Sequence, residues 1–168
     1  HIYFSDERCL LAGDQNLNSR MAGEAWLDHV PIPRSQLYEI PVELGASLAA
    51  YEYASTLRSV KEFDLTFLGL GEDGHTASLF PGHEWGSEVG SPDTLAVFTA
   101  PKAPEHRVSM SAARLSRSRQ VIFLVSGESK HMVVAKWRRG SNIPAKAIMP
   151  TAGIDVLLES SLLVPLSI

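Results

Sequence analysis

The stretch Phe63–Gly82, FDLTFLGLGEDGHTASLFPG, constrains the fold of this chain more than any other. Phe63–Leu68 is a largely apolar run of strand length, and it leads straight into Gly69, Gly71 and Gly74. Those glycines bracket Glu72 and Asp73, and His75 follows. A buried strand that ends in a glycine turn bearing titratable groups is how open α/β sheets present a site beyond the carboxyl ends of their strands.

Gly69, Gly71 and Gly74 also spell G-x-G-x-x-G, the spacing of a dinucleotide cradle. That cradle needs a helix opening at the third glycine, with free N–H groups aimed at a pyrophosphate. Glu72 and Asp73 would repel a pyrophosphate, and Pro81 and Gly82 follow too soon for a crossover helix. The spacing is therefore read as a turn that displays acids and a histidine.

Around this segment the chain alternates strands and helices. His1–Phe4 reads as a strand and Ser5–Leu17 as a loop. Asn18 or Ser19 caps a helix through about Val30, with Met21, Ala25 and Trp26 on one face. Leu37–Ile40 is a short strand. Val42–Val60 is the longest helical candidate, with Leu44, Leu48, Tyr51 and Ser55 at helical spacing. Leu95–Thr99 and Arg107–Ser111 are short strands, followed by a helical turn at Ala112–Ser116. Val121–Val125 (VIFLV) has the composition of a strand buried on both faces. A helix over Glu128–Arg138 stops at Gly140, and Asp155–Leu158 is a last strand. This order predicts a single α/β domain over 1–168, with a doubly wound, mostly parallel sheet and helices on both faces. His1–Phe4 reads as the inside of such a sheet, so the domain is expected to be the C-terminal portion of a longer one.

Charge and composition narrow the function. The net charge is −4 with no basic block, which argues against a nucleic-acid partner. No apolar run reaches the length of a membrane span. The single cysteine, Cys9, excludes an intrachain disulfide and fits a reducing cytoplasm. No His/Cys cluster has metal-ligand spacing.

Chemistry is expected at two loops. Ser5-Asp6-Glu7-Arg8 follows the first strand, and Gly69–His75 follows the central one. With those strands parallel, both loops open on one sheet edge, bringing together Asp6, Arg8, Glu72, Asp73 and His75. Cations, acids and a histidine suit an anionic substrate and proton transfer. Each residue also has a structural alternative: Arg8 paired to Asp6 or Glu7, Asp73 capping a following helix, His75 in a helix start or core. For Lys102, Arg107 and Lys130 the alternative is a solvated surface.

The chain resembles the 6-phosphogluconolactonase family, within the sugar-phosphate isomerase and deaminase superfamily. The resemblance rests on SDER (Ser5–Arg8), NSRMAGEAWLDHVPIP (Asn18–Pro33), Phe63–His83, PKAPEHRVSMS (Pro101–Ser111) and VIFLVSGESK (Val121–Lys130). GLGEDGHTASLFP is the most specific of these segments. Glucosamine-6-phosphate deaminases continue from the histidine as I-A-F-N-E-P, with a glutamate before the proline. Phe80 stands there instead, and Arg8 stands where the deaminases have tyrosine.

The resemblance implies hydrolysis of 6-phospho-D-glucono-1,5-lactone, the second step of the oxidative pentose phosphate pathway. His75 would act as general base on water, Asp73 would orient it, and Arg8 would stabilise developing charge. Asp6, Gly71, Gly74, Lys102 and Arg107 would bind substrate. The resemblance further implies no metal or organic cofactor, a small-molecule sugar-phosphate lactone as partner, and no nucleic acid or membrane. A cytoplasmic monomer or homodimer is expected. A deaminase or isomerase, or a non-catalytic sugar-phosphate sensor, is the alternative. Nothing in His1–Ile168 matches the family's G-G-S-[TR]-P phosphate loop, so part of that cradle is expected outside these residues.

Overall fold

A computed structural model describes residues 1–163. Eight short strands form three sheets. β1 (Ile2–Tyr3) pairs in parallel with β3 (Leu37–Tyr38). β2 (Asp6–Arg8), β6 (Arg107–Met110) and β5 (Thr94–Val97) form an antiparallel sheet in the order β2-β6-β5. β4 (Thr66–Gly69), β7 (Val121–Val125) and β8 (Ile154–Leu158) form a parallel sheet in that order. The helices are α1 (Asn18–Ala25), α2 (Ala46–Leu57), α3 (Ala112–Ser116) and α4 (His131–Arg138). The expected α/β class is present, with parallel strands alternating with helices and an added antiparallel sheet.

The first departure is at the site itself. Asp6–Arg8 lies in a strand, not a loop, because β2 pairs with β6 at Asp6↔Ser109, Glu7↔Val108 and Arg8↔Arg107. Paired residues share a sheet face, so Asp6, Arg8, Arg107 and Ser109 stand on the same side.

The helices also differ from expectation. Gly45, at φ +79°, separates a 3-10 turn (Val42–Leu44) from α2, so the long helix is split. α2 buries Ala46, Ala49, Ala50, Tyr53 and Leu57, while Leu48 and Tyr51 are 48 % and 62 % exposed. The expected stripe of Leu48 and Tyr51 thus faces outward, and the helix packs on β5 and β6 through three alanines with Tyr53 and Leu57. α1 ends at Ala25 and buries no residue, so Met21 and Trp26 lie outside the core.

The parallel sheet is buried on one face. Leu68, Val121, Phe123 and Val125 enter the core, whereas Phe67, Leu124 and Leu157 are 57 %, 51 % and 57 % exposed. VIFLV is therefore covered on one side only among the described residues. Three contacts tie β1 and β3 to α2: the Tyr53 hydroxyl accepts from the Phe4 N–H (2.9 Å) and lies 3.0 Å from the Phe4 carbonyl and 3.1 Å from that of Tyr38.

Candidate active site

Beyond β4, residues 70–80 form a chain of tight turns rather than a helix start. Asp73 therefore caps no helix. Its Oδ1 accepts two hydrogen bonds from His75, one from the backbone N–H at 3.0 Å and one from ring Nδ1 at 2.6 Å. Burial pushes the Asp73 carboxyl up, but the His75 N–H, its ring and its charge together pull it further down, below the ordinary carboxylate value. When the imidazole is neutral, an ionised Asp73 favours the tautomer with its proton on Nδ1, which leaves Nε2 with a lone pair.

The expected glycines are packed against protein. A Cβ on Gly71 would overlap His75 Nδ1, so the imidazole occupies the space a side chain would need. Gly74 has φ +95°, and a Cβ there would lie 2.7 Å from Ile143 Cβ. Both glycines shape the turn that holds His75. Glu72 is exposed and takes part in no side-chain hydrogen bond among the described residues.

Phe80 links this turn to the antiparallel sheet. Its ring is 2 % exposed, with its centroid 4.9 Å from that of His75. The Arg107 guanidinium carbon lies 5.5 Å from the same ring. The position that holds a glutamate in the deaminase pattern is thus an apolar wedge between an imidazole and an arginine.

Arg107 and Arg8 face each other as a cross-strand pair. Like charges opposed in this way repel unless an anion lies between them. Burial lowers the Arg107 pKa, Asp6 raises it, and Arg8 lowers it again. Arg107 donates through Nε to the Pro104 carbonyl (3.0 Å) and through Nη2 to that of Lys102 (2.9 Å), and so braces the segment carrying Lys102. Lys102 is exposed, and its ammonium has no hydrogen-bond or ion-pair partner among the described residues. Arg8 pairs with neither Asp6 nor Glu7 through its guanidinium. Its Nη1 donates to the Asn16 carbonyl, and its buried Nε has no hydrogen-bond partner among the described residues.

Glu7 is a structural residue. It is fully buried, and its carboxylate accepts from the N–H groups of Arg8 (2.9 Å), Asn18 (2.7 Å) and Ser19 (2.8 Å). It thereby satisfies free donors at the start of α1 and locks that helix to β2. Asp6, on the opposite strand face, accepts from Ser78 Oγ at 2.6 Å. Ser78 lies inside the GLGEDGHTASLFP segment, but sequence alone assigns it no role, because its partners Asp6 and Ser109 are distant in sequence. Lys130 ends a 3-10 turn after β7, and no contact among the described residues links it to this group. No group of His, Cys, Asp or Glu among the described residues is arranged to hold a metal ion.

Residues 1–157 match the family model described as glucosamine-6-phosphate isomerases/6-phosphogluconolactonase. The 6-phosphogluconolactonase of Mycobacterium leprae is 34 % identical over 174 residues, covering 96 % of this chain and 68 % of its own length. The GDH/6PGL endoplasmic bifunctional protein of Oryctolagus cuniculus is 34 % identical over 91 % of this chain, which spans 21 % of that larger protein. The solved 6-phosphogluconolactonase of Trypanosoma brucei superimposes with a TM-score of 0.82 at 27 % identity, over 97 % of this chain and 73 % of its own.

Proposed function

The chain belongs to the glucosamine-6-phosphate isomerase/6-phosphogluconolactonase family, and from that premise we propose that it is a lactonase, a carboxylic ester hydrolase acting on 6-phospho-D-glucono-1,5-lactone. The observation that carries this proposal is the 2.6 Å contact between Asp73 Oδ1 and His75 Nδ1, which leaves Nε2 as the proton acceptor.

His75 Nε2 takes a proton from water as the water oxygen bonds to the lactone carbonyl carbon. The carbonyl π electrons move to oxygen, and the arginine pair offers charge to that oxyanion or to the substrate phosphate. Collapse of the intermediate breaks the ring C–O bond. The imidazolium returns its proton to the departing ring oxygen, giving 6-phosphogluconate with its C1 carboxyl group. Lys102 and Arg107 bind the anionic end, and Asp6 accepts from sugar hydroxyls.

Phe80 favours this chemistry over ring-opening deamination, because a phenyl ring transfers no proton. The reading also takes the domain as part of a longer one, since the apolar sheet face at Phe67, Leu124 and Leu157 suits cover by further chain. A reducing cytoplasmic setting, with neither nucleic acid nor membrane as partner and a monomeric or homodimeric state, completes it. No helix among the described residues is long and apolar enough to cross a membrane.

The test offers two substrates: freshly made 6-phosphogluconolactone, with its spontaneous decay subtracted, and glucosamine 6-phosphate. Acceleration of lactone loss without ammonia release from the amine supports the lactonase. Ammonia release would move the chain to the deaminases, and inertness towards both would favour a sensor.

A further inference from the structure

Ser78 is 1 % exposed, yet both of its donors leave its own loop. Its hydroxyl donates to Asp6 Oδ2 at 2.6 Å, and its backbone N–H donates to Ser109 Oγ at 3.2 Å. Asp6 and Ser109 are partners on one rung of the β2–β6 ladder. Ser109 Oγ is itself fixed by donation to the Met110 carbonyl at 2.9 Å. One serine thus grips both halves of a rung two residues from the Arg8–Arg107 pair, on the same sheet face. The other Asp6 oxygen has only longer contacts, 3.3 Å to Ser5 Oγ and 3.4 Å to Asn18 Nδ2.

The turn that delivers Ser78 is strained. Thr76 and Leu79 are bridged, with the Leu79 N–H donating to the Thr76 carbonyl at 2.9 Å. Between them Ala77 has φ +48°, the one non-glycine residue at positive φ among those described. A side-chain-bearing residue in that region is strained and persists only where the surroundings impose it. Here the imposed turn lies just after Asp73 and His75 and places Ser78 on the sheet that carries Asp6 and Arg8.

We propose that Ser78 is a positioning residue that fixes the Asp6 carboxylate for the substrate and rivets the His75 turn to the Asp6/Arg8 strand. This rests on the lactonase reading for the identity of the substrate, but the contact can be tested without turnover.

Burial raises the Asp6 pKa, the Ser78 hydroxyl lowers it, Glu7 raises it, and Arg107 and Arg8 lower it, with a net rise. Glu7 and Arg8 on β2 and Arg107 on β6 are the charged groups acting on Asp6, and the uncharged Ser78 acts on it from the turn. The Ser78 hydroxyl donates to the carboxylate at 2.6 Å and so favours its charged form, and removing it moves the Asp6 titration further up.

The experiment compares the wild-type protein with Ser78→Ala and Ser78→Cys, the latter keeping the volume with a weaker donor should the alanine variant fail to fold. The Asp6 carboxyl carbon is titrated by NMR, and lactone kinetics are measured alongside. The expected result is an upward shift of the Asp6 midpoint and a loss of about tenfold in kcat/KM, mainly through KM. The smaller loss is expected in Ser78→Cys. An unmoved Asp6 midpoint, or a moved one with wild-type kinetics, overturns the positioning role. A wild-type protein that does not accelerate lactone hydrolysis defeats the lactonase reading instead, and the Asp6 titration still decides whether Ser78 holds Asp6.

Discussion

Gly71 and His75 occupy one space: a Cβ on Gly71 would overlap Nδ1 of the His75 ring. The imidazole lies on a bare backbone, with the Asp73 carboxylate at its Nδ1. Gly71→Ala must push the ring away and lengthen the Asp73 contact. We expect the variant to fold with a loss of about 1–3 kcal/mol from overpacking. Lactone turnover should fall about tenfold or more with little change in KM, since a base moved by a fraction of its hydrogen-bond length loses the proton path. Wild-type turnover in Gly71→Ala would show that the ring position does not matter.

The Asp73–His75 contact should also be visible in stability against pH. The folded Asp73 carboxyl titrates below the ordinary value, so its contribution is full above the unfolded pKa. It is lost as pH falls through the lower, folded pKa. Asp73→Asn should therefore melt below wild type at neutral pH, and the two should converge in strong acid. Melting temperatures measured from about pH 7 to about pH 2 span ordinary carboxylate titration and test this. A constant gap would mean that Asp73 acts through packing and not through its charge.

Arg8 faces Arg107 with an unpartnered Nε. Arg8→Ala relieves a repulsion in the free protein and removes a donor from the bound anion. The free variant should be no less stable than wild type by more than about 1 kcal/mol, the ordinary scale for one lost hydrogen bond. Its affinity for 6-phosphogluconate, measured by calorimetry, should fall about tenfold or more. Unchanged affinity would reassign Arg8 to the Asn16 contact alone.

Tyr53 is a fold prediction rather than a site prediction. Its hydroxyl serves the half-buried backbone of Phe4 and Tyr38. Tyr53→Phe keeps the ring and leaves the Phe4 N–H without its acceptor. Denaturant unfolding should register a loss of about 1–3 kcal/mol, with lactone kinetics unchanged. A neutral substitution would mean that water replaces the hydroxyl.

The strand-to-turn segment at Phe63–Gly82 is legible in the sequence because its glycines, acids and histidine lie within one short window. Asp6, Arg8, Asp73 and His75 stand out for the same reason, in two compact motifs. What escapes depends on partners distant in sequence. Asp6–Arg8 looks like a loop until Arg107–Ser109 pairs with it, and the role of Ser78, though it lies in the most specific segment, rests on its distant partners Asp6 and Ser109. The positive φ of Ala77 has no residue-type signature, unlike that of Gly74. On α2, apolar spacing marks the wrong face, since helical periodicity is met both by Leu48 and Tyr51 left outside and by three alanines, Tyr53 and Leu57 packed within.

The central claim is that His75 Nε2 takes the proton from the attacking water. The most direct measurement is the rate of lactone hydrolysis by the wild-type protein and by His75→Ala, on freshly generated 6-phosphogluconolactone with the spontaneous rate subtracted. A base in this role predicts a fall in kcat of about 10²–10⁴-fold in a variant that still binds 6-phosphogluconate. A His75→Ala protein that hydrolyses the lactone at the wild-type rate would contradict it.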